Sequence, residues 1–154
     1  MAFVAGGIDH YAKLGIESWR LDVADELPDE FIAFLRRELK ARAKDGILIG
    51  EVWEDASNKI SQGGRRKYFC GNELDSVMNY PFRTAITDFL LTSNAQVFMD
   101  RVYSIYLNYP PKIMNLCMNF LGTHDTERIF LAEKQFVFAV TFYRRAYFLY
   151  EAVG

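Results

Sequence analysis

Four short apolar runs punctuate the chain, at residues 16–23, 47–53 (ILIGEVW), 74–78 and 115–122. Each is nearly continuous rather than alternating, as strands covered on both faces are. Between the runs, apolar positions return at helical spacing. Residues 1–14 read as the end of a helix, closed by Gly15. Residues 28–44 read as a helix with Phe31, Leu35 and Leu39 on one side. Pro28 suits its first position, and Asp29 and Glu30 suit its electropositive N-terminal end. Asp45-Gly46 breaks it. A loop follows residue 53, with Gly63-Gly64 and the basic run Arg65-Arg66-Lys67, expected in solvent. Residues 83–91 and 94–107 carry two more helical patterns, stopped by Pro110-Pro111. From residue 127 onward the pattern is helical and rich in aromatics, expected as core rather than as a binding stripe. Strand and helix alternate throughout, which predicts an α/β fold with a parallel sheet and right-handed crossovers.

The polar positions that interrupt these runs are mostly acids at strand ends. Asp22 closes the first run, Glu51 the second, Asp75 lies in the third, and Asp125 follows the fourth. About one βαβ unit separates Asp22 from Glu51, and room for two more separates Glu51 from Asp125. Ligand sites of parallel α/β folds form at the carboxyl ends of strands, so several of these acids are expected to converge.

Strand parity refines the expectation. Arg20 and Asp22 share a side of their strand, with Trp19 and Leu21 on the other. The guanidinium then favours the ionised carboxylate of Asp22, which suits a nucleophile. Glu51 shares a side with Ile47, Ile49 and Trp53. Drier surroundings would raise its pKa and suit a proton donor. Two carboxyl groups pushed to opposite protonation states are what glycoside hydrolysis requires. Arg20, Ile49, Glu51 and Leu121 are expected on the inner face of the sheet.

The other candidates divide. Asp25 and Glu26 are expected to help start the helix at Pro28. Asp75 is balanced between a structural and a functional role. His10 reads as a surface or satisfied core residue. His124, beside Asp125 in the polar cluster GTHDTER, is expected to contact a ligand. Trp19 is expected to pack under the helices, whereas Trp53 is equally suited to a sugar ring and to the core. Spacing alone leaves a second enzyme class open: Asp22, Glu51 and Asp75 could hold Mg²⁺ in a barrel lyase, although no lysine base stands at a strand end.

Composition narrows the classes further. The chain has 154 residues, 51% of them hydrophobic and 25% charged, which suits one folded domain. A net charge of −2 gives no reason to expect a nucleic-acid or membrane-surface partner. No apolar run is long enough to span a bilayer. The N-terminal MAFVAGGIDHYAK has no signal-peptide pattern, so a cytoplasmic location is expected. Cys70 and Cys117 are far apart and outside any ligand spacing; reduced thiols, no metal and no cofactor are expected.

Three words, IESWRLDVADEL, ILIGEVWED and FLGTHDTERI, resemble in order and spacing three signature segments of the alpha-amylase family, glycoside hydrolase family 13. The stretch GEVWEDASNKISQGGRRKYFCGNELDSVMNYPFR is most similar to the neopullulanase and cyclomaltodextrinase branch. The resemblance covers residues 8–130. It implies a partial (β/α)₈ TIM barrel, about strands 4 to 7 with a degenerate strand 8 region. Residues 1–154 would then be the C-terminal part of a catalytic barrel, truncated at both ends, with the tail TFYRRAYFLYEAVG departing from the family pattern.

The same resemblance implies that Asp22 is the nucleophile, Glu51 the general acid and base, and Asp125 a stabiliser of the transition state. Arg20 would orient Asp22, and His124 would hydrogen-bond the sugar. The reaction would retain anomeric configuration, with the carboxyl groups of Asp22 and Glu51 about 5–5.5 Å apart. The substrates implied are α-1,4- and sometimes α-1,6-linked glucan oligosaccharides or polysaccharides. Calcium, bound by some family members, is not implied by the residues here. Part of a barrel leaves open sheet edges, so self-association is expected. Weak or lost catalysis, or a carbohydrate-binding relic, is the alternative expectation.

Overall fold

The computed structural model describes residues 2–129. From residue 130 on, the helical pattern expected from residue 127 onward, with the aromatic-rich tail and the strand 8 region, lies outside the described residues.

The elements run α1 (Ala2–Ala12), β1 (Trp19–Leu21), α2 (Asp29–Arg42), β2 (Leu48–Gly50), β3 (Ile60–Ser61), β4 (Gly64–Arg65), β5 (Ser76–Val77), α3 (Tyr80–Thr92), α4 (Ala95–Asn108) and α5 (Pro111–Met114). A 3₁₀ turn, Ala24–Glu26, follows β1. Three strands form one sheet in the order β1-β2-β5, every pair parallel. A parallel bridge from Met78 to Met118 adds a fourth position, inside the apolar run 115–122. The expected strands are all present as strand or bridge, but shorter than their apolar runs. β1 has no partner on its outer side among the described residues.

The register is fixed by pairs such as Arg20 with Ile49 and Ile49 with Ser76. Parity then sorts the side chains as expected. Trp19, Leu21, Leu48, Val52 and Val77 face the helices, packing with Ile32, Leu35 and Leu39 of α2 and with Ile113 and Cys117. Ile49 turns the other way and meets Met78, Tyr80, Met118 and Phe120 in a smaller inner cluster. Phe120, not Leu121, supplies the inner residue of the last run.

Local chemistry explains the boundaries. Pro28 is the N-cap of α2 rather than its first helical residue, and its carbonyl accepts from Ile32. Asp29 and Glu30 occupy the first turn, as the helix dipole favours. α3 begins at Tyr80, earlier than the apolar spacing predicts. Asn79 caps it by accepting from the Phe82 N–H, and proline sits in the first turn. Gly50 is required where it stands, because a Cβ there would lie 2.4 Å from Leu74 Cδ1.

The loop after β2 contains a structure that the sequence reading did not foresee. β3 and β4 form a two-residue hairpin, turned by Gln62 and Gly63 at φ 53° and 78°. The basic run is not uniformly solvated either. Arg65 is exposed, but Arg66 is buried, and it binds backbone carbonyls some forty residues away.

Candidate active site

The carboxyl ends of β1 and β2 bring Arg20, Asp22 and Glu51 together. Arg20 Nη1 donates to Asp22 Oδ1 at 2.7 Å, and Nη2 pairs with Glu51 Oε1 at 2.9 Å. One guanidinium thus joins both carboxylates. Its Nε donates to Met78 Sδ at 3.3 Å, which fixes the plane of the fork from the inner cluster.

The two carboxylates differ in surroundings. The Glu51 side chain is 3% exposed and that of Asp22 is 69% exposed. Glu51 Oε2 accepts the Val23 N–H at 2.8 Å, and Oε1 accepts the Tyr80 hydroxyl at 3.1 Å. Tyr80 stacks on Trp53 with ring centroids 4.6 Å apart and meets Phe120 edge-on. Trp53 is half exposed, above this stack. Trp53 also lines an open hollow of about 300 Å³, together with Glu54, Asp55, Thr84 and Arg101.

Glu51 is buried, as parity implied, but its proton affinity runs opposite to the expectation. Burial pushes the carboxyl up. The Val23 N–H, the Tyr80 hydroxyl, the Arg20 charge and a hydrogen bond from Trp53 outweigh it, and hold Glu51 below the ordinary value. The sequence reading counted the dry surroundings and missed the donors. Burial also pushes the Tyr80 phenol up; a hydrogen bond with Thr123 opposes this and Glu51 reinforces it, so Tyr80 remains a donor.

Asp125 and His124 sit on the loop after Met118. They pair with each other at 3.1 Å, and both are exposed. They do not pair with Asp22 or Glu51 among the described residues. The loop is nevertheless tied to the site. Thr123 reaches Tyr80, and Arg83 of α3 donates to the carbonyls of Leu121 and Glu127. Thr126 closes the turn by accepting the Thr123 N–H at 2.8 Å.

Other candidates fall elsewhere. Asp75 stands level with Leu48, at the opposite end of the sheet. It binds Arg36 at 2.9 Å, Lys40 at 3.0 Å and the Leu48 N–H at 3.0 Å, so it anchors α2 to the strands. That position removes it from any metal set with Asp22 and Glu51. Among the described residues, no three His, Cys, Asp or Glu side chains gather as metal ligands. Asp25 does not start α2. It accepts from the Tyr68 hydroxyl at 2.6 Å and pairs with Lys59 at 3.0 Å. His10 is exposed against Tyr11, and Trp19 packs on the core beside Tyr11.

Tyr80 and Val23 were missed as site residues. An Asn-Tyr-Pro word that caps a helix directly after a strand was the available signal for Tyr80. Nothing local pointed to the Val23 N–H.

Comparison with known proteins follows the same lines. The family model described as alpha amylase, catalytic domain, matches residues 4–141. A cyclomaltodextrinase of Thermoanaerobacter pseudethanolicus is 36% identical over 118 residues, covering 75% of this chain and 19% of that protein. Neopullulanase 2 of Thermoactinomyces vulgaris is 35% identical over 138 residues, covering 86% and 22%. A solved cyclomaltodextrinase structure superposes with a TM-score of 0.71 at 30% identity, covering 84% of this chain and 21% of that one. The chain thus spans about a fifth of the length of these relatives. That catalytic domain implies a (β/α)₈ barrel, of which the parallel sheet and its helices are a part. The chain belongs to the alpha-amylase family.

Proposed function

We propose that this chain carries the reacting carboxylates of a retaining glycoside hydrolase acting on α-1,4-linked, and in some substrates α-1,6-linked, glucans. The observation that carries the reading is the single Arg20 guanidinium bound to both Asp22 and Glu51. The cyclomaltodextrinase and neopullulanase relatives agree with an α-glucan substrate. In this reading residues 16–122 correspond to about strands 4 to 7 of the barrel.

The exposed Asp22 attacks the anomeric carbon as Glu51 gives its proton to the leaving oxygen, and the glycosidic C–O bond breaks. A water that loses its proton to Glu51 then displaces Asp22. The shared cation couples the steps. Burial and the negative charge of Asp22 push Glu51 toward the protonated acid, against the donors that hold its carboxyl below the ordinary value in the free site. Once Asp22 is esterified, Arg20 belongs to Glu51 alone, which favours the ionised base. Trp53, stacked on Tyr80 and half exposed, offers a face to a sugar ring. Asp125 and His124 would bind sugar hydroxyls after exchanging their mutual pair for the ligand.

The test is hydrolysis of maltodextrin by the chain and by Glu51→Gln. Cleavage that the substitution abolishes supports the reading; cleavage that survives it sinks the reading. Glucan binding without turnover in the unsubstituted chain would favour a carbohydrate-binding relic instead. The outer side of β1, unpaired among the described residues, adds an expectation of self-association, read by sedimentation.

A further inference from the structure

The Val23 N–H that holds Glu51 comes from a strained residue. Val23 has φ 44° and ψ 56°, a left-handed conformation that a β-branched residue rarely adopts. Something must hold it there. Its own side chain is half exposed and contributes little. The turn that follows, Ala24–Glu26, is too short to stabilise itself.

Backbone bonds supply part of the restraint, since the Ala24 N–H donates to the Glu51 carbonyl at 3.1 Å and the Glu26 N–H to the Val23 carbonyl at 2.9 Å; the hairpin arm holds the rest of the turn. Arg66 is 5% exposed, with its guanidinium 4.8 Å from the centre of the Tyr68 ring. Nη1 donates to the Asp25 carbonyl at 3.2 Å and to Ser61 Oγ at 3.0 Å. Nη2 donates to the carbonyls of Ala24 at 3.4 Å and Leu27 at 2.6 Å. Nε lies 2.8 Å from Asp29 Oδ1. Three carbonyls of one turn and the first residue of α2 are thus gathered on one planar fork. The same arm adds Ser61 Oγ on the Asp25 carbonyl, Gln62 on the Glu26 carbonyl, and the Tyr68 hydroxyl on the Asp25 carboxylate. Burying a guanidinium is costly unless its donors are used; here Nη1 and Nη2 are used on the residues directly after Val23, whereas Nε meets Asp29 as an ion pair without a hydrogen bond.

We propose that Arg66 is a positioning residue for Glu51: from the hairpin arm it holds the 24–27 turn and thereby keeps the Val23 N–H on the Glu51 carboxylate. The inference rests on the reading of Glu51 as the acid and base, but it concerns only where that carboxylate is held. Lysine cannot replace arginine here, because an ammonium keeps the charge but cannot present a fork to three carbonyls.

The experiment follows the Glu51 carboxyl by NMR in the 154-residue chain labelled at glutamate Cδ, with Glu51→Gln assigning the signal. Arg66→Lys is expected to raise the Glu51 titration by about half a unit or more, as loss of one donor to the ionised form should. Arg66→Met should raise it by at least as much. A wild-type midpoint in Arg66→Lys would mean that the charge alone matters, and would overturn the proposal. If neither variant folds, Tyr68→Phe removes one hydrogen bond of the same clamp. A smaller rise is then expected, and no rise overturns the proposal. The midpoint needs no turnover. A chain that cleaves no glucan yet shows the shift defeats the functional reading and keeps Arg66. Glucan cleavage with an unmoved midpoint does the reverse.

Discussion

Glu51 and Glu73 are both 3% exposed, yet their proton affinities diverge. Glu51 accepts from Val23 and Tyr80 and pairs with Arg20, and its carboxyl lies below the ordinary value although burial alone pushes it up. Glu73 Oε2 has no hydrogen-bond partner. Burial raises its carboxyl, Asp29 adds to the rise, Arg66 and Lys67 oppose it, Glu30 adds again, and the result is about 7. Equal burial therefore does not set a carboxyl's protonation; the donors that reach it do. Asp75 makes the complementary point. Like Glu51 it holds an arginine and a backbone N–H, but its partners come from α2 and β2, and no open acid stands beside it. Glu51 differs from Asp75 in sharing its cation with an exposed acid, Asp22.

The largest effect should come from the carboxylate with the structural role. Asp75→Ala strands Arg36, Lys40 and the Leu48 N–H together, and is expected to cost about 3–5 kcal/mol in urea unfolding. A loss below about 1 kcal/mol would show that Asp75 is no anchor.

Glu73 should come next, with the opposite sign of pH dependence from Glu51. Its folded value is raised from 4.5 to about 7. Its stabilising contribution is therefore complete below pH 4.5 and is lost as pH rises through 7. Glu51 is depressed, so its contribution is present above its unfolded value and is lost as pH falls through the folded one. Between pH 5 and pH 9, Glu73→Gln should remove a stability loss of up to about 3 kcal/mol. Unchanged curvature of stability against pH would mean that Glu73 finds a partner in solution.

These carboxylates also show how far sequence reasoning reaches. The four apolar runs, the helices between them and the pairing of Arg20 with Asp22 follow from periodicity alone, because both period and parity are local. The end of the sheet that Asp75 occupies is set by register, here Ile49 opposite Ser76, and register is not local. The phase of the last run escaped for a related reason. Only Met118 bridges, so alternation does not extend along the run to fix Phe120 rather than Leu121 as the inner residue. Arg66 looked like one of three solvated basic residues because its partners are carbonyls of the 24–27 turn, distant in sequence. Glu73 gave no signal at all, since tertiary packing alone buries it.

Tyr80→Phe probes the donors of Glu51 one at a time. The ring keeps its stack on Trp53 and its edge contact with Phe120, and only the hydroxyl is lost. About 1 kcal/mol of stability should go with it, and the Glu51 midpoint should rise by less than a unit. An unmoved midpoint would assign the depression of Glu51 to Val23, Arg20 and Trp53 alone.

The smallest stability effect, with the greatest chemical consequence, is expected at Asp22. Its side chain is 69% exposed, and its pair with Arg20 is open to water. Exposed ion pairs contribute little to folding, so Asp22→Asn should change unfolding free energy by no more than about 0.5 kcal/mol. Arg20 remains satisfied by Glu51 and Met78 after the change. The amide cannot form the glycosyl ester, so any maltodextrin cleavage should disappear. A residue that the fold can lose and the reaction cannot is placed for chemistry. If Asp22→Asn destabilised the chain by several kcal/mol while leaving cleavage intact, Asp22 would be a structural acid like Asp75. The shared guanidinium would then be only another anchor.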